Sequence, residues 1–199
     1  MPNSHPLHFK LIYEVPTGKI LGAQALGKGN VDKRIDVIAA LIHMNATLED
    51  LKDLELTYSP LLGTAKDVIN NAALVASLNQ LEGRYKEVKV SEVRKLVQEN
   101  AFIIDSRERH EFNRGHLINA INIPLSEFRE RLDEIPKDRP VYIHCRSGQR
   151  SYNMVMALKH LGFENVYNIA GSFKGICLYE YFNDVTTGRK KIVTEYNFT

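Results

Sequence analysis

The fold of this chain is decided by residues 141–151, which read VYIHCRSGQRS. Their first four residues are mainly apolar and β-favouring, and they predict a buried strand over 141–144. Cys145 follows directly, and a short polar loop leads into a helix predicted over 151–161. A strand, a tight loop and a helix in this order are typical of a parallel sheet covered by helices.

The same alternation runs through the second half of the chain. Strands are predicted at 87–90, 102–104, 120–123, 141–144 and 166–169, and helices at 91–98, 108–113, 126–132, 151–161 and 173–182. This pattern predicts an α/β fold with a doubly wound parallel sheet. Ligands bind beyond the carboxyl ends of the strands in such sheets, where Cys145 is placed.

Cys145 is the candidate nucleophile. A tight loop that feeds a helix can point backbone N–H groups at an anion, and the positive helix end favours a thiolate. Arg146 and Arg150 add positive charge, and cysteines in such settings have a pKa of about 3.5 to 7.5 instead of about 8.5. The alternative is a buried cysteine that ends a strand, which is common. It is disfavoured because an inert thiol does not need two arginines and a glycine directly after it.

The loop after Cys145 supplies the predicted substrate-binding residues, namely Arg146, Ser147, Gly148, Gln149 and Arg150. The loop amides, assisted by Ser147 and Gln149, are expected to hold the sulfur. The two arginines have two open interpretations. They position an anionic donor, or one of them pairs with an acid and holds the loop.

Further polar and titratable residues are interpreted mainly as structural. Asp105 and Arg107 are expected to support the site, and Glu111 and His116 to belong to the same ion-pair lattice. Cys177 is either a resolving thiol or, as we favour, a residue that packs on one face of a helix. No metal site is expected, because strand alternation points His144 and Cys145 to opposite faces.

Residues 87–182 resemble a rhodanese domain. The motifs that carry the resemblance are CRSGQRS at 145–151, IIDSRERHEFNRGHLINAINIP at 103–124 and VYNIAGSFKG at 166–175. The chain departs from the family pattern at Leu117, Asn119 and Ser172, and it lacks the usual tryptophan near Ile176. The resemblance implies a sulfurtransferase that carries a sulfane sulfur as a Cys145 persulfide. The donor is thiosulfate, a polysulfide or a persulfide, and the acceptor is a thiol or cyanide.

Loop length separates this chemistry from phosphoryl transfer. Related phosphatases and arsenate reductases carry Cys-x-x-x-x-x-Arg, a loop that wraps a tetrahedral oxyanion. Arg150 comes one position too early for that spacing, and Ser151 stands where the phosphatase arginine would be. Sulfur transfer is therefore favoured, because pocket geometry decides which transition state is held.

The first half predicts a smaller α+β unit. A hairpin is predicted from residues 8–14 and 19–25, with Pro16, Thr17 and Gly18 in its turn. Helices are predicted over 31–44, after Thr47 with Asp50 completing its cap, and over 64–78. One hairpin and three helices make a thin core, so this domain reads as incomplete.

Residues 8–76 resemble part of the dimerisation domain of FAD-dependent disulfide reductases of the coenzyme A-disulfide reductase type. The matching stretches are KLIYEVPTGKILGAQALG, GNVDKRIDVIAALI and LELTYSPLLGTAKDVINNAALVA. The resemblance implies that Tyr58 reaches a partner subunit's redox cysteine and flavin; a capping aromatic before Ser59 is the alternative. No G-x-G-x-x-G loop follows a strand, so no cofactor is expected in this chain. FAD, NAD(P)H and coenzyme A are expected as ligands only if the chain belongs to a longer reductase.

These observations give four predicted segments: a partial dimerisation-like domain at 1–76, a linker at 77–86, a rhodanese-like domain at 87–182 and an extension at 183–199. Two functions stay open. The chain is an active sulfurtransferase, or it is the C-terminal part of a coenzyme A-disulfide or persulfide reductase that binds or relays persulfide without turnover of its own. A homodimer, or association with missing flavoprotein domains, is the expected assembly.

Composition limits the partners. Of the 199 residues, 44% are hydrophobic and 25% charged, and the formal net charge is +2. So small a charge argues against nucleic acid or an anionic membrane as the main partner, and no apolar run approaches the roughly 20 residues of a membrane span. The start shows no export signal, and the only two cysteines are Cys145 and Cys177. A cytoplasmic location with reduced thiols is therefore expected.

Overall fold

The computed structural model describes residues 5, 7–60, 63–78 and 85–198. The chain folds as two separate units, Met1–Arg84 and Tyr85–Thr199. Residues 79–84 of the predicted linker lie outside the described residues. The four predicted segment limits stay a prediction.

In its described residues, the first unit consists of a hairpin and three α-helices. Its elements are β1 (Leu7–Tyr13), β2 (Ile20–Gly27), α1 (Val31–His43), α2 (Leu48–Asp53) and α3 (Val68–Ala76). The strands pair antiparallel, and the turn between them is closed by backbone hydrogen bonds from Gly18 to Glu14 and from Glu14 to Lys19. The predicted hairpin and helices are all present, although α3 begins four residues later than expected.

The core of the first unit lies between the hairpin and the helices. Ile20, Ile38, Leu48, Leu51 and Ile69 are fully buried there. Thr47 caps α2 with its hydroxyl while the Asp50 carboxylate accepts the Thr47 N–H, which confirms the predicted cap. This reciprocal arrangement satisfies donors that the helix start leaves free.

The second unit contains a parallel five-stranded sheet. Its strands are β3 (Lys86–Val88), β4 (Phe102–Asp105), β5 (Ala120–Asn122), β6 (Val141–His144) and β7 (Val166–Ile169), in the order β3-β7-β6-β4-β5. All of their pairings are parallel. The α/β fold with a parallel sheet predicted for this half is therefore confirmed. β6 is the central strand, with β4 and β7 on either side.

Helices cover both faces of this sheet. They are α4 (Val90–Gln98), α5 (Arg109–Phe112), α6 (Gln149–His160) and α7 (Ser172–Thr187). Because side chains alternate along a strand, Ile104 packs with α6 in one apolar cluster while Ile103 packs with α4 and α7 in another. Burial on both faces explains why β4 and β6 read as continuous apolar runs.

Some predicted boundaries were wrong. No α-helix forms over 126–132. The segment instead makes successive hydrogen-bonded turns, and a short 3₁₀ segment, Leu132–Glu134, follows. α7 runs to Thr187, five residues beyond the expected end, and Gly188 closes it with a φ of 66°. Glycine adopts this left-handed conformation without the steric penalty of a Cβ atom.

The C-terminal residues pack onto the second unit. Ile192 and Val193 are buried in the α4 and α7 cluster, and Val193 forms a bridge with Leu117. Arg94 binds the carboxylates of Glu180 and Asp184 next to this segment. In the ranges that the structure describes, no helix is both long and apolar enough to span a bilayer.

Candidate active site

The candidate site lies at the carboxyl end of the central strand. Cys145 is the first residue after β6, and its neighbours β4 and β7 end at the same edge of the sheet because all the strands are parallel. The Cys145 side chain is buried, with 1% of the residue exposed. The geometry therefore places this thiol at the floor of a loop and not on the open surface.

Several donors face the Cys145 sulfur. The Gly148 N–H donates a hydrogen bond to Sγ at 3.1 Å, and the Ser151 hydroxyl lies 3.6 Å from the same atom. The Ser172 hydroxyl lies 3.9 Å from Sγ and accepts the Cys145 N–H at 3.2 Å. This arrangement stabilises negative charge on sulfur, because hydrogen bonds to the charged form favour it.

The pKa of Cys145 reflects a competition between burial and hydrogen bonding. Burial raises the pKa of the thiol, since it removes the charged form from water. Hydrogen bonds from the Ser151 and Gly148 amides, the Ser151 hydroxyl and the Ser147 amide more than offset this, so the pKa lies below that of an ordinary cysteine. The candidate nucleophile is thus shifted towards its reactive thiolate form.

Gly148 gives the loop its shape. Its φ of 118° and ψ of −29° are rarely open to residues with a side chain, and α6 begins at the next residue, Gln149. The helix was expected to begin at Ser151, so the structure starts it two residues earlier. The earlier start brings the amides of the first helical turn round towards the sulfur.

The two arginines of the loop differ in their surroundings. Arg150 forms a two-pronged ion pair with Glu111, with nitrogen–oxygen distances of 2.5 and 2.8 Å. Arg150 lowers the pKa of Glu111 to about 2, and Glu111 raises the pKa of Arg150. Arg146 is exposed and has no ion pair with any residue that the structure describes. Of the two open interpretations, the geometry pairs Arg150 with an acid.

The remaining loop side chains do not reach the sulfur. Ser147 is exposed and faces Cys145 only through its backbone N–H. The Gln149 side-chain amide donates to Asn153 at 3.2 Å, along the surface of α6. Hydroxyl groups approach the sulfur from Ser151 and Ser172 instead, and the sequence interpretation assigned neither of them to the site. Ser151 is the third residue of α6. Ser172 follows β7, which lies beside β6 in a sheet order that the sequence did not reveal.

Asp105 and Arg107 form a buried ion pair beneath the loop. The Arg107 guanidinium binds both Asp105 carboxylate oxygens and the Gly115 carbonyl, and it lies 4.0 Å from the centre of the Phe173 ring. Both side chains are almost fully buried. Because the Arg107 guanidinium is occupied by groups of the protein itself, the arrangement agrees with the support role expected for the pair.

The two histidines near this edge have separate environments. His144 is fully buried, and burial lowers its pKa, so it is neutral at pH 7. His116 stacks on Phe112 at 3.8 Å between ring centres, and its Nδ1 lies 2.9 Å from the Phe112 carbonyl. Within the described part of the chain, no cluster of histidine, cysteine and carboxylate side chains is arranged to hold a metal ion.

The other residues singled out from the sequence lie elsewhere. Cys177 is buried in the α4 and α7 cluster beside Ile176, and burial raises the pKa of its thiol. This environment fits the packing role that was favoured for it. Tyr58 belongs to the first unit, where 54% of the residue is exposed.

A polar cleft of about 310 Å³ adjoins the Cys145 loop. It is lined by Arg107, His110, Glu111, Arg114, Arg146, Phe173, Lys174 and Asn197. The cleft is connected to the loop through the backbone: the Phe173 N–H donates to the Cys145 carbonyl at 3.0 Å, and the Lys174 N–H donates to the Arg146 carbonyl at 3.1 Å. The cleft therefore borders the backbone of the loop at Arg146, the residue after the nucleophile, although Cys145 itself is not among its lining residues.

Comparison with known proteins assigns both units. Residues 89–178 match the family model of the rhodanese-like domain, and residues 1–72 match that of the pyridine nucleotide-disulphide oxidoreductase dimerisation domain. A sulfurtransferase of Allochromatium vinosum is 38% identical over 73 residues, which are 37% of this chain and 68% of that protein. The chain belongs to the rhodanese-like family. Both predicted resemblances are thereby confirmed.

Two solved structures are similar to this chain over most of its length, and a curated reductase is similar to part of it. The crystal structure of reduced Bacillus anthracis CoADR-RHD is 43% identical, with a TM-score of 0.81, and covers 88% of this chain. A NAD-dependent persulfide reductase from A. fulgidus is 36% identical, with a TM-score of 0.74, over 86% of this chain. A coenzyme A disulfide reductase of Staphylococcus epidermidis is 41% identical over 69 residues, 35% of this chain.

The chain spans only part of these reductases. It covers 31% of each of the two solved structures and 16% of the Staphylococcus enzyme. The dimerisation-domain match makes an oligomer a proposal for this chain. The ligands and reactions of these longer proteins are therefore only proposals for this chain.

Proposed function

We propose that the chain is a sulfurtransferase in which Cys145 accepts a sulfane sulfur and passes it to an acceptor thiol, or to cyanide in the test tube. The observation that carries this proposal is the environment of Sγ, which is buried yet receives the Gly148 N–H and faces two serine hydroxyls. Donors in this arrangement favour a thiolate and can bind the outer sulfur of a persulfide.

The first half-reaction loads the cysteine. The Cys145 thiolate attacks the outer sulfur of thiosulfate, a polysulfide or a persulfide. A bond forms between Sγ and this sulfur, the sulfur–sulfur bond of the donor breaks, and the leaving group (sulfite in the case of thiosulfate) departs with the electron pair. The amides of Ser147, Gly148 and Ser151, which face Sγ where the loop curves into α6, would hold the added sulfur.

The second half-reaction unloads it. An acceptor thiolate attacks the outer sulfur, the bond from that sulfur to Sγ breaks, and the electron pair returns to Cys145 as a thiolate. Arg150, bound to Glu111, holds the end of the loop in place for both steps. Arg146 is available to attract anionic reactants, because it is exposed and lies at the edge of the cleft.

Mass spectrometry after incubation with thiosulfate or polysulfide tests this proposal. We expect a gain of one sulfur atom that maps to Cys145, its loss on addition of cyanide or a thiol, and repeated turnover. Cys145→Ser should abolish the gain, whereas Cys177→Ala is the matched control and should retain it. A Cys145→Ser protein with full activity would end the proposal.

A second candidate rests on the pairing of the two units. Because both units match relatives that contain reductase domains, the chain is alternatively a module that relays persulfide within a longer coenzyme A-disulfide or persulfide reductase. We expect FAD and NAD(P)H to bind the longer reductase and not this chain itself, since no G-x-G-x-x-G loop occurs in its sequence. A single loading of Cys145 without repeated turnover would favour this relay function. Tyr58 would then serve the partner subunit's redox site.

A further inference from the structure

We propose that the cleft beside Cys145 is a subsite for the body of an organic thiol that carries two or more negative charges, and that Arg114, Arg146 and Lys174 select it. This inference rests on the proposed function and deepens it. It names the class of acceptor that removes sulfur from Cys145, and it assigns roles to two residues outside the loop.

The first argument is the charge that remains in the cleft. Arg107 is committed to Asp105, and the acidic residue of the cleft, Glu111, is bound by Arg150. In contrast, Arg114, Arg146 and Lys174 are all exposed, and none has an ion pair with a described residue. The lining therefore presents uncompensated positive charge, which attracts anions most strongly where low-dielectric walls focus the field.

The second argument is the position of this charge. Arg146 follows the nucleophile directly, and the Lys174 N–H is hydrogen-bonded to the Arg146 carbonyl. Arg114 reaches the same cleft from the segment after α5. The cations thus come from separate parts of the fold and converge beside the loop that holds Cys145. An anionic group held by them would be linked to the reacting sulfur through the body of the same molecule.

The third argument is size. The cleft of about 310 Å³ lies at the lower end of the range of about 300 to 1,000 Å³ that is usual for sites of small organic ligands. Phe173 contributes apolar surface, while the other lining residues are polar. A small organic thiol with several carboxylate, sulfonate or phosphate groups fits this combination of volume and charge. A neutral thiol would leave the cations without a partner.

The transfer step is balanced without an added oxidant or reductant. The acceptor thiolate attacks the outer sulfur of the protonated Cys145 persulfide, and a new sulfur–sulfur bond forms. The bond between that sulfur and Sγ breaks, and Sγ leaves with the electron pair as the thiolate that the loop stabilises. The acceptor leaves as its own persulfide and retains the proton.

The test uses two acceptors of similar size, mercaptosuccinate, which has two carboxylates, and neutral 1-thioglycerol. The full chain is loaded with polysulfide, the gain of sulfur on Cys145 is verified by mass, and the rate constant of sulfur removal is measured for each acceptor. Each rate constant is normalised to thiolate concentration and to the rate with a free cysteine persulfide. We expect an advantage of about tenfold for mercaptosuccinate that declines as salt rises from about 0.05 to about 0.5 M.

Variants locate the effect. Arg114→Gln combined with Lys174→Gln should reduce the mercaptosuccinate advantage to about onefold to threefold. Lys95→Gln combined with Arg129→Gln removes equal charge from residues that do not line the cleft, and it should keep the advantage. The salt titration needs no variant, so it tests the inference even if the double variant fails to fold.

The outcomes separate the two proposals. If Cys145 takes up no sulfur, the proposed function fails. If it loads but both acceptors remove sulfur at the same normalised rate, only the subsite is refuted. An advantage that is insensitive to salt, or equal in the two double variants, also overturns the subsite.

Discussion

Glu111 binds Arg150 through both carboxylate oxygens, and this ion pair ties α5 to the first turn of α6. The two residues are 39 positions apart in the sequence. Arg150 also interacts with the Cys145 sulfur, which contributes to its raised pKa. The pair therefore connects the segment after β4 to the nucleophile that follows β6.

This connection predicts that Glu111 and Arg150 act as one unit. Glu111→Gln and Arg150→Ala should each lower kcat/KM for sulfur transfer by about tenfold, because either change releases the end of the loop. The double variant should lose no more than about twofold beyond either single variant, as expected for residues in direct contact. Steady-state kinetics with thiosulfate and cyanide measures all four proteins. Losses that multiply would show that the two residues act independently.

The two thiols should differ in their pH dependence. Hydrogen bonds lower the pKa of Cys145, whereas burial raises the pKa of Cys177. Since the thiolate is the reactive form, alkylation of Cys145 should rise with pH through a midpoint below about 8.5, the value of an ordinary thiol. Cys177 should stay slow throughout this range.

Iodoacetamide labelling followed by peptide mass analysis resolves the two sites. Cys145→Ser should leave only slow labelling, and Cys177→Ala should leave the fast phase intact. If Cys145 proves to be protonated and sluggish at neutral pH, the electrostatic basis of the proposed reaction is lost.

Gly148→Ala should weaken the site through the backbone alone. An added Cβ at this position would meet no atom within 4 Å, so steric collision is not the cause. The strain comes from the φ of 118°, and it should cost roughly 1 to 3 kcal/mol if the backbone holds its conformation. If the loop relaxes instead, the Gly148 N–H turns away from Sγ and the alkylation midpoint of Cys145 should rise. Chemical denaturation and the labelling profile together distinguish these responses, and a variant unchanged in both would contradict the assigned role.

The sequence was sufficient to predict the sheet, the nucleophile and the loop, because these depend on local patterns. Apolar runs such as 141–144 predict buried strands. The residues that directly follow Cys145 form the loop, so a short stretch of sequence was enough to predict both the nucleophile and its loop. The partners of the loop were harder to predict. Ser172 reaches Cys145 because β7 lies beside β6, and sheet order is not written in the local sequence.

Two further features, the partner of Glu111 and the conformation of residues 126–132, depend on the three-dimensional arrangement and not on local sequence pattern. Glu111 was interpreted as part of an ion-pair lattice, but its specific partner Arg150 became evident only when α5 and the start of α6 were placed in space. The segment 126–132 has a plausible helix cap in Ser126, yet it forms successive turns with hydrogen bonds between residues three apart. Phe128 is fully buried in the cluster that contains Ile104 and Ile143 in that conformation, and tertiary packing commonly overrides helix propensity.

Arg107 should prove to be a structural residue. Arg107→Ala would leave the Asp105 carboxylate buried without its main partner, because the Arg107 guanidinium donates hydrogen bonds to both of its oxygens. Loss of one partner from a buried ion pair costs about 3 to 5 kcal/mol, so the second unit should unfold at a markedly lower denaturant concentration. Equilibrium denaturation of the full chain, followed by a probe in the second unit, measures this loss.

A matched comparison separates this structural role from a catalytic one. Arg109→Ala removes an exposed arginine that pairs with Glu127, and surface ion pairs contribute at most about 1 kcal/mol, so its stability should barely change. At a temperature where the Arg107 variant is still folded, its rate of sulfur loading per folded molecule should stay within about threefold of the parent protein. A loss of several hundredfold in a fully folded Arg107 variant would instead place this guanidinium among the groups that contact the reacting sulfur.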